Sequence, residues 1–320
     1  MNTPNTDETG VASTSWVRDN DWVQAAATGK RPTPWWMALI VGTVFAFVFV
    51  GLPNGVDLDD GADEVSFKQQ AFNLGVGGGL LILAVFAWVR FKEGRPIRTI
   101  GFMGPKPLVR FFSGLVIGAV LFSVAVLAMV ALGGIERVDV DSGSVGSSAI
   151  GVVLLLGLGW FLQATSEEVA FRGLMFPPAA LQLPVVVAFL APAVVFAFLH
   201  AAGEGSGPLP LINVLIFALA ATAIALADRG LLLIMGIHTG WNWFQGNVFG
   251  IPVSGMDLNE NAIVRLAPVD GEPRILSGGG FGMEATIATT VIWIVVFAIA
   301  IAVARRRAHD TASAVHADPA

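Results

Sequence analysis

The chain has no cysteine, only 4 histidines, and charge on only 13% of its 320 residues. The missing cysteine excludes disulfides, thiolate metal sites and a cysteine nucleophile, so a metal would have to be held by histidines and carboxylates. It leaves the redox compartment open. The shortage of charge is as telling, because soluble domains carry charge on about a quarter of their residues. Here 55% of the residues are hydrophobic and the mean hydropathy is +0.72, the composition of an integral membrane protein. The net charge of -6 comes from acidic loops and gives no basic face of the kind that binds nucleic acid. No short apolar core of a secretory signal precedes the first long apolar run.

Residues 1–34 are rich in Thr, Asp and Asn and read as a polar, disordered cytoplasmic tail. Apolar segments follow at about 35–52, 72–90, 108–132, 149–176, 184–202, 209–227, 231–249 and 284–304, each near the ~20 residues that cross a bilayer as helix. The expected fold is therefore all-α and polytopic, with about eight transmembrane helices in a domain over 35–304 and a basic, then polar, tail over 305–320. Asn213 makes 209–227 the weakest of the eight. Gly114 and Gly118 form a small-xxx-small pair, a common packing feature of membrane helices that carries no functional weight by itself.

Charge sets the orientation. Arg18, Lys30, Arg31, Arg90, Lys92, Arg95, Arg98, Lys106, Arg110, Arg229, Arg305, Arg306 and Arg307, 13 of the 18 basic residues, fall in one alternating set of segments. The other set holds Lys68, Arg137, Arg265 and Arg274, with acids such as Asp57, Asp59, Glu136 and Asp139. Lys and Arg are retained on the cytoplasmic side, so both termini are expected there, with the bacterial plasma membrane as the expected location.

Against this background a few polar residues inside apolar runs stand out, since ionisable groups in hydrocarbon are costly and most often functional. Glu167, Glu168 and Arg172 share one run, and His200 and His238 lie in later ones; the other two histidines, His309 and His316, are in the tail. Glu168 and Arg172 are four apart on one helix face, so Arg172 is read as neutralising and orienting Glu168. Glu167 points about 100° away and is left free. Glu167 and His200 lie almost equally far in sequence from Leu183, in the proline-rich break at Pro177, Pro178 and Pro184, so both reach about 25 Å of helix from the turn and can meet. His238 and Asn242 share a face of a third helix. The bland alternative is a buried ion-pair cluster that only packs helices. Amide hydrolysis, by contrast, needs a base for water, a donor to the leaving amine and donors to the oxyanion, which Glu, His, His and Asn supply together. Thr165 and Ser166 have no base at a recognisable spacing and there is no GxSxG, which disfavours a serine mechanism.

Glu167-Glu168-Val169-Ala170-Phe171-Arg172, Phe196 through His200, and His238 through Asn242 match EExxxR, FxxxH and HxxxN in order. With these motifs, a core of about 149–250 resembles the CPBP family of intramembrane proteases, also called the ABI or CAAX prenyl protease family. The resemblance implies an all-helical membrane peptidase acting on a membrane-associated peptide or protein, with a site opening toward the cytoplasm. It implies that Glu167 and His200 activate water, His238 and Asn242 stabilise the oxyanion, and Glu168, Arg172 and Phe196 orient the site. The family is also described as metalloproteases. Glu167, His200 and His238 are one conceivable zinc set, but HExxH is absent, and metal-free glutamate chemistry is the preferred expectation. The rival class is a non-enzymatic scaffold or immunity protein, or a small transporter with a Glu/His proton relay, though no repeated halves with paired broken helices are present.

Overall fold

A computed structural model describes residues 15–59, 66–139, 145–256 and 261–317. It is 77% helical. Helices form at all eight apolar segments: α1 Trp35–Gly51, α2 Phe67–Glu93, α3 Pro107–Ala131, α4 Gly146–Gln182, α5 Val185–Ala202, α6 Pro208–Asp228, α7 Leu232–Trp243 with its continuation Phe244–Val248, and α8 Ile287–Ala317. Among the described residues six of these, α2 to α6 and α8, are long and apolar enough to cross a membrane. The sequence reading gave eight such spans. The two that fall short, α1 and α7, are the shorter helices, and α7 is the most polar of the set: His238, Asn242, Gln245 and Asn247 are all buried in it. Its hydropathy is lowered because it packs inside protein.

Two further departures lie at the chain's polar ends. Residues 15–34, expected to be part of a disordered tail, instead include short helices at Ser15–Arg18 and Asp21–Gln24 that dock on the bundle. Val17, Trp22 and Val23 are fully buried, and Trp22 stacks on Phe176 and donates Nε1–H to the Ile100 carbonyl at 2.7 Å. Apolar side chains within a polar stretch override its composition. At the other end α8 runs on past Arg305 to Ala317, and Arg307 donates to the Ala227 carbonyl at 2.6 Å. Residues 1–14 and 318–320 lie outside the described residues.

The bundle presents its apolar residues outward, as a lipid-facing protein should. Leu108, Val116, Val120, Val124 and Leu127 of α3 and Val291, Ile294, Val295 and Ile299 of α8 are exposed. Many polar side chains point inward and find partners there: Asn213 donates to the Glu284 and Thr286 carbonyls at 2.8 and 3.0 Å and accepts from Thr290 at 2.7 Å, tying α6 to the start of α8. The polar residue that weakens the 209–227 reading is thus a helix-to-helix joint.

Small residues set the closest approach in the bundle. Gly114 and Gly118 of α3 face Gly236 and Gly240 of α7, and a Cβ on any of the four would collide with a main-chain carbonyl of the other helix, those of Leu233, Ile237, Phe111 and Leu115 respectively. In a membrane, helix association rests on such close van der Waals packing. Gly236 and Gly240 bracket His238 in sequence, so the seam fixes the height and rotation of the helix that carries His238 and Asn242.

The loops sort into two ends. One end gathers the N-terminal helices, the α2–α3 connection, Leu183, Asp228, Arg229 and the end of α8: Asn20 donates to the Leu226 carbonyl at 3.0 Å, Arg18 to that of Leu183 at 3.2 Å, and Arg110 pairs with Asp228 at 2.6 Å. At the other end the chain after α3 and the α7–α8 connection form a small antiparallel pair, β1 Ile135–Arg137 with β2 Leu266–Pro268, with Glu136 opposite Ala267. The alternation read from the basic residues is therefore present in the fold.

Replacing Gly118 by alanine should cost about 1–3 kcal/mol through overpacking and lower the melting temperature of the detergent-solubilised protein. Val120→Ala, on the outward face of the same helix, is the control and should change little. Equal melting of the two variants would show that the glycine seam does not set the packing.

Candidate active site

The segment that carries both glutamates departs from ordinary helix. From Glu168 to Met175 the turns of α4 widen to π geometry, and the Phe176 N–H bonds to the Phe171 carbonyl, five residues back. Such widened turns often mark functional sites, although α1, α2 and the continuation of α7 also contain them, so the widening alone does not single out this segment. Glu167 ends the α-helical stretch and Glu168 opens the wide one. His200 sits where α5 ends, in a single tight turn, His200–Ala202.

The side chains form one connected network. Arg172 Nη1 donates to Glu168 Oε1 at 3.0 Å, and His238 Nδ1 lies 2.9 Å from the same oxygen. His238 Nε2 faces Glu167 Oε2 at 3.6 Å. Gln163, one turn before Glu167, donates Nε2–H to Glu167 Oε1 at 2.8 Å, and Asn242 donates to Gln163 Oε1 at 3.1 Å. Glu168, Arg172 and His238 are buried, whereas Glu167 is 13% exposed and turned to the cavity. The Glu168–Arg172 pair is as the four-residue spacing implies. The bracketing of one imidazole by both glutamates is not: His238 leans on Glu168 as well as facing Glu167.

Aromatic rings hold the charged groups. The Arg172 guanidinium lies 4.8 Å above the Phe196 ring and 5.6 Å from that of Phe217, cation–π contacts that help keep a cation in an apolar interior. Phe196 also packs on the His200 ring at 4.4 Å, and Phe217 meets His238 edge-on at 4.8 Å. His200 Nδ1 bonds to the Phe196 carbonyl at 2.7 Å. A carbonyl only accepts, so Nδ1 carries the proton and Nε2 is left with its lone pair.

Glu167, His200, His238 and Asn242 all line one cavity of about 390 Å³, together with Gln163 and Phe196. Glu167 Oε2 and Glu168 Oε2 both lack a hydrogen-bond partner, but only Glu167 lines the cavity, so its oxygen is the one a bound molecule can engage. From the middle of the bundle the cavity extends past Val50, Asn73, Gly203, Ser254 and Glu284. Each of these belongs to the end formed by the acidic loops. A cytoplasmic mouth, implied by the family resemblance, and cytoplasmic termini, expected from the charges, therefore exclude each other.

The donor set does not fit zinc as it stands. Glu167 Oε2 and His238 Nε2 are spaced as two ligands of one ion could be, but among the described residues no group of three or more His, Asp or Glu side chains is arranged to hold a metal. The Glu168 contact to His238 Nδ1 leaves Nε2 free for a ligand and does not itself argue against a metal. Tetrahedral zinc with three protein ligands needs a third side chain at about 2 Å.

Three contributors were not singled out in the sequence. Gln163 links Glu167 to Asn242; its only signal is its position one turn before Glu167. Phe217 is an unremarkable aromatic in an apolar helix and gave none. Glu284 lies just before α8, where the apolar run was read as beginning, and its side chain enters the cavity wall. Gln245 and Ser254 donate to it at 2.5 and 3.1 Å. Burial pushes the Glu284 carboxyl up to about 7, against the pull of these hydrogen bonds.

Residues 147–244 match the family model described as Type II CAAX prenyl endopeptidase Rce1-like. All three motifs fall within the matched stretch, which runs from the start of α4 to the end of the α-helical part of α7 and over that length is similar to the CAAX-protease family. No curated protein and no solved structure matches the chain.

Because the folded pKa of Glu284 exceeds the ordinary 4.5, the fold holds this proton more tightly than the unfolded chain does. Stability from this group is then fullest below about 4.5, falls as pH rises to about 7, and is level above that. Melting temperatures of Glu284→Gln relative to the parent, measured from pH 5 to pH 8, should show the variant gaining with pH. A constant difference across the range would show that Glu284 does not titrate there.

Proposed function

We propose that this protein is an intramembrane endopeptidase that hydrolyses a peptide bond of a membrane-associated peptide or protein with water activated by Glu167. The observation that carries this reading is the unpartnered Oε2 of Glu167, a residue that lines the cavity, beside His238 Nε2. The match of residues 147–244 supports the class of activity. A scaffold has no need of an unsatisfied carboxylate oxygen beside a cavity, since such an atom costs about 1–3 kcal/mol in stability.

Water sits between Glu167 Oε2 and the scissile carbonyl. Glu167 takes one of its protons while Gln163 holds the other carboxylate oxygen, and the remaining hydroxide adds to the carbonyl carbon. The negative charge that develops on the carbonyl oxygen needs donors aimed at it. Asn242 uses one amide N–H on Gln163 and retains a second. His238 donates through Nδ1 to Glu168, so donation from Nε2 requires the doubly protonated ring, a charge that Glu168 and Glu167 on its two sides would balance. On collapse of the tetrahedral intermediate the proton taken by Glu167 passes to the leaving amine. His200, with Nε2 free, assists by accepting from the water. Glu168 and Arg172 touch no reacting atom; they fix the ring of His238. No step is assigned to a metal.

Comparison of membrane-protein termini between cells producing the wild type and Glu167→Gln tests this. The expected result is at least one new terminus that forms with the wild type and is absent with the variant, while both proteins accumulate equally. Purified wild type should hold well under one zinc per chain, and the cleavage should survive chelation. Identical termini in the two samples would refute the peptidase reading, and one zinc per chain, lost in Glu167→Gln, would refute the metal-free mechanism.

A further inference from the structure

The position of the cavity along the bundle bears on which substrates can reach it. Its wall runs from Glu167 and His238 to Val50, near the end of α1, Asn73, early in α2, Ala202 and Gly203, where α5 stops, Ser254, in the α7–α8 connection, and Glu284, just before α8. Helix direction alternates along the chain, yet all these positions are at one end. Among the described residues none at the opposite end, with its N-terminal helices, the α2–α3 connection and Arg229, lines it.

The two ends differ sharply in charge. The segments at the far end carry the 13 basic residues from Arg18 to Arg307, and those at the cavity's end carry Lys68, Arg137, Arg265 and Arg274 among many acids. The rule that retains Lys and Arg in the cytoplasm is counted over short loops and helix flanks, which is where these residues are: Arg90 and Lys92 close α2, Arg110 opens α3, and Arg229 follows α6. The wall at the cavity's end sets polar groups, Asn73, Ser254 and the Glu284 carboxyl, among apolar ones, Val50, Val253 and Met256, a mixed lining that can meet both the backbone and the side chains of a peptide segment.

We infer that the cavity is served from the extracytoplasmic side of the membrane, and that its substrate is a peptide segment already translocated: the outer part of a membrane-anchored protein or peptide. This rests on the peptidase reading for the nature of the reaction, and on charge and cavity position alone for the side. A cytoplasmic prenylated C-terminus is excluded as the substrate, because it lies on the wrong side of the bilayer.

The absence of cysteine makes the test direct. Single cysteines at Ala202, on the cavity wall, at Glu272, on the exposed connection before α8, and at Ala27, exposed at the basic end, are introduced into the Glu167→Gln chain. Intact cells and inverted vesicles are then treated with a membrane-impermeant maleimide. Ala202→Cys and Glu272→Cys should label in intact cells, and Ala27→Cys only in inverted vesicles. Labelling of Ala27→Cys in intact cells with Glu272→Cys protected overturns the inference. So does labelling of Ala202→Cys only from the vesicle side while Glu272→Cys labels from outside, since the cavity would then be entered from the other end. Labelling needs no turnover, so it stands whether or not cleavage is found. Any termini that depend on Glu167 should map to extracytoplasmic segments, and cytoplasmic ones alone would also overturn it.

Discussion

A carboxylate held away from water must find its counter-charges within the fold, and Glu168 is the group on which this site turns. Its side chain is fully buried, and one oxygen receives both the Arg172 guanidinium and the His238 ring. Arg172 in turn donates to the Ala218 carbonyl at 3.2 Å and lies against Phe196 and Phe217, so a single carboxylate ties α4 to α5, α6 and α7. Removing one member of such a group leaves an uncompensated charge in an apolar interior, a cost of about 3–5 kcal/mol. The same contact decides the orientation of the imidazole, and hence where His238 Nε2 stands relative to Glu167.

The rest of the molecule brings these groups around one cavity. The α3–α7 glycine seam seats His238 and Asn242. The proline-rich break at Leu183 returns α5 so that His200 lines the same cavity as Glu167. The α7–α8 connection then closes over the cavity through Gln245, Ser254 and Glu284. Polar groups are confined to this interior and to the two ends of the bundle, and the surface between is apolar, as expected of a structure that satisfies its backbone internally in lipid.

Much of this was legible in the sequence, for physical reasons. Hydrocarbon selects long apolar runs, so the positions of all eight helices could be read, although two are too short to count as spans on their own. The spacing of Glu168 and Arg172 stated their pairing, and the equal distances from Leu183 pointed to a meeting of His200 and Glu167, which line one cavity. What was hidden depends on contacts between segments far apart in the chain. Gly114 and Gly118 showed half of a seam whose other half, Gly236 and Gly240, has meaning only once α7 lies against α3. Gln163 and Glu284 are ordinary polar residues until the fold turns them to the cavity. The docking of residues 15–34 was masked by their polar composition, which outweighed Trp22. The side to which the cavity opens needed the helix ends to be sorted in space before the charges could be set against it.

The claim that Glu168 organises the site is tested most directly by a double-mutant cycle on Glu168→Gln and His238→Gln, read as unfolding free energy in one detergent. The expected result is strong coupling, the double variant losing less than the sum of the single losses by about 0.5–3 kcal/mol. Losses that add within about 0.5 kcal/mol, the behaviour of independent sites, would contradict it.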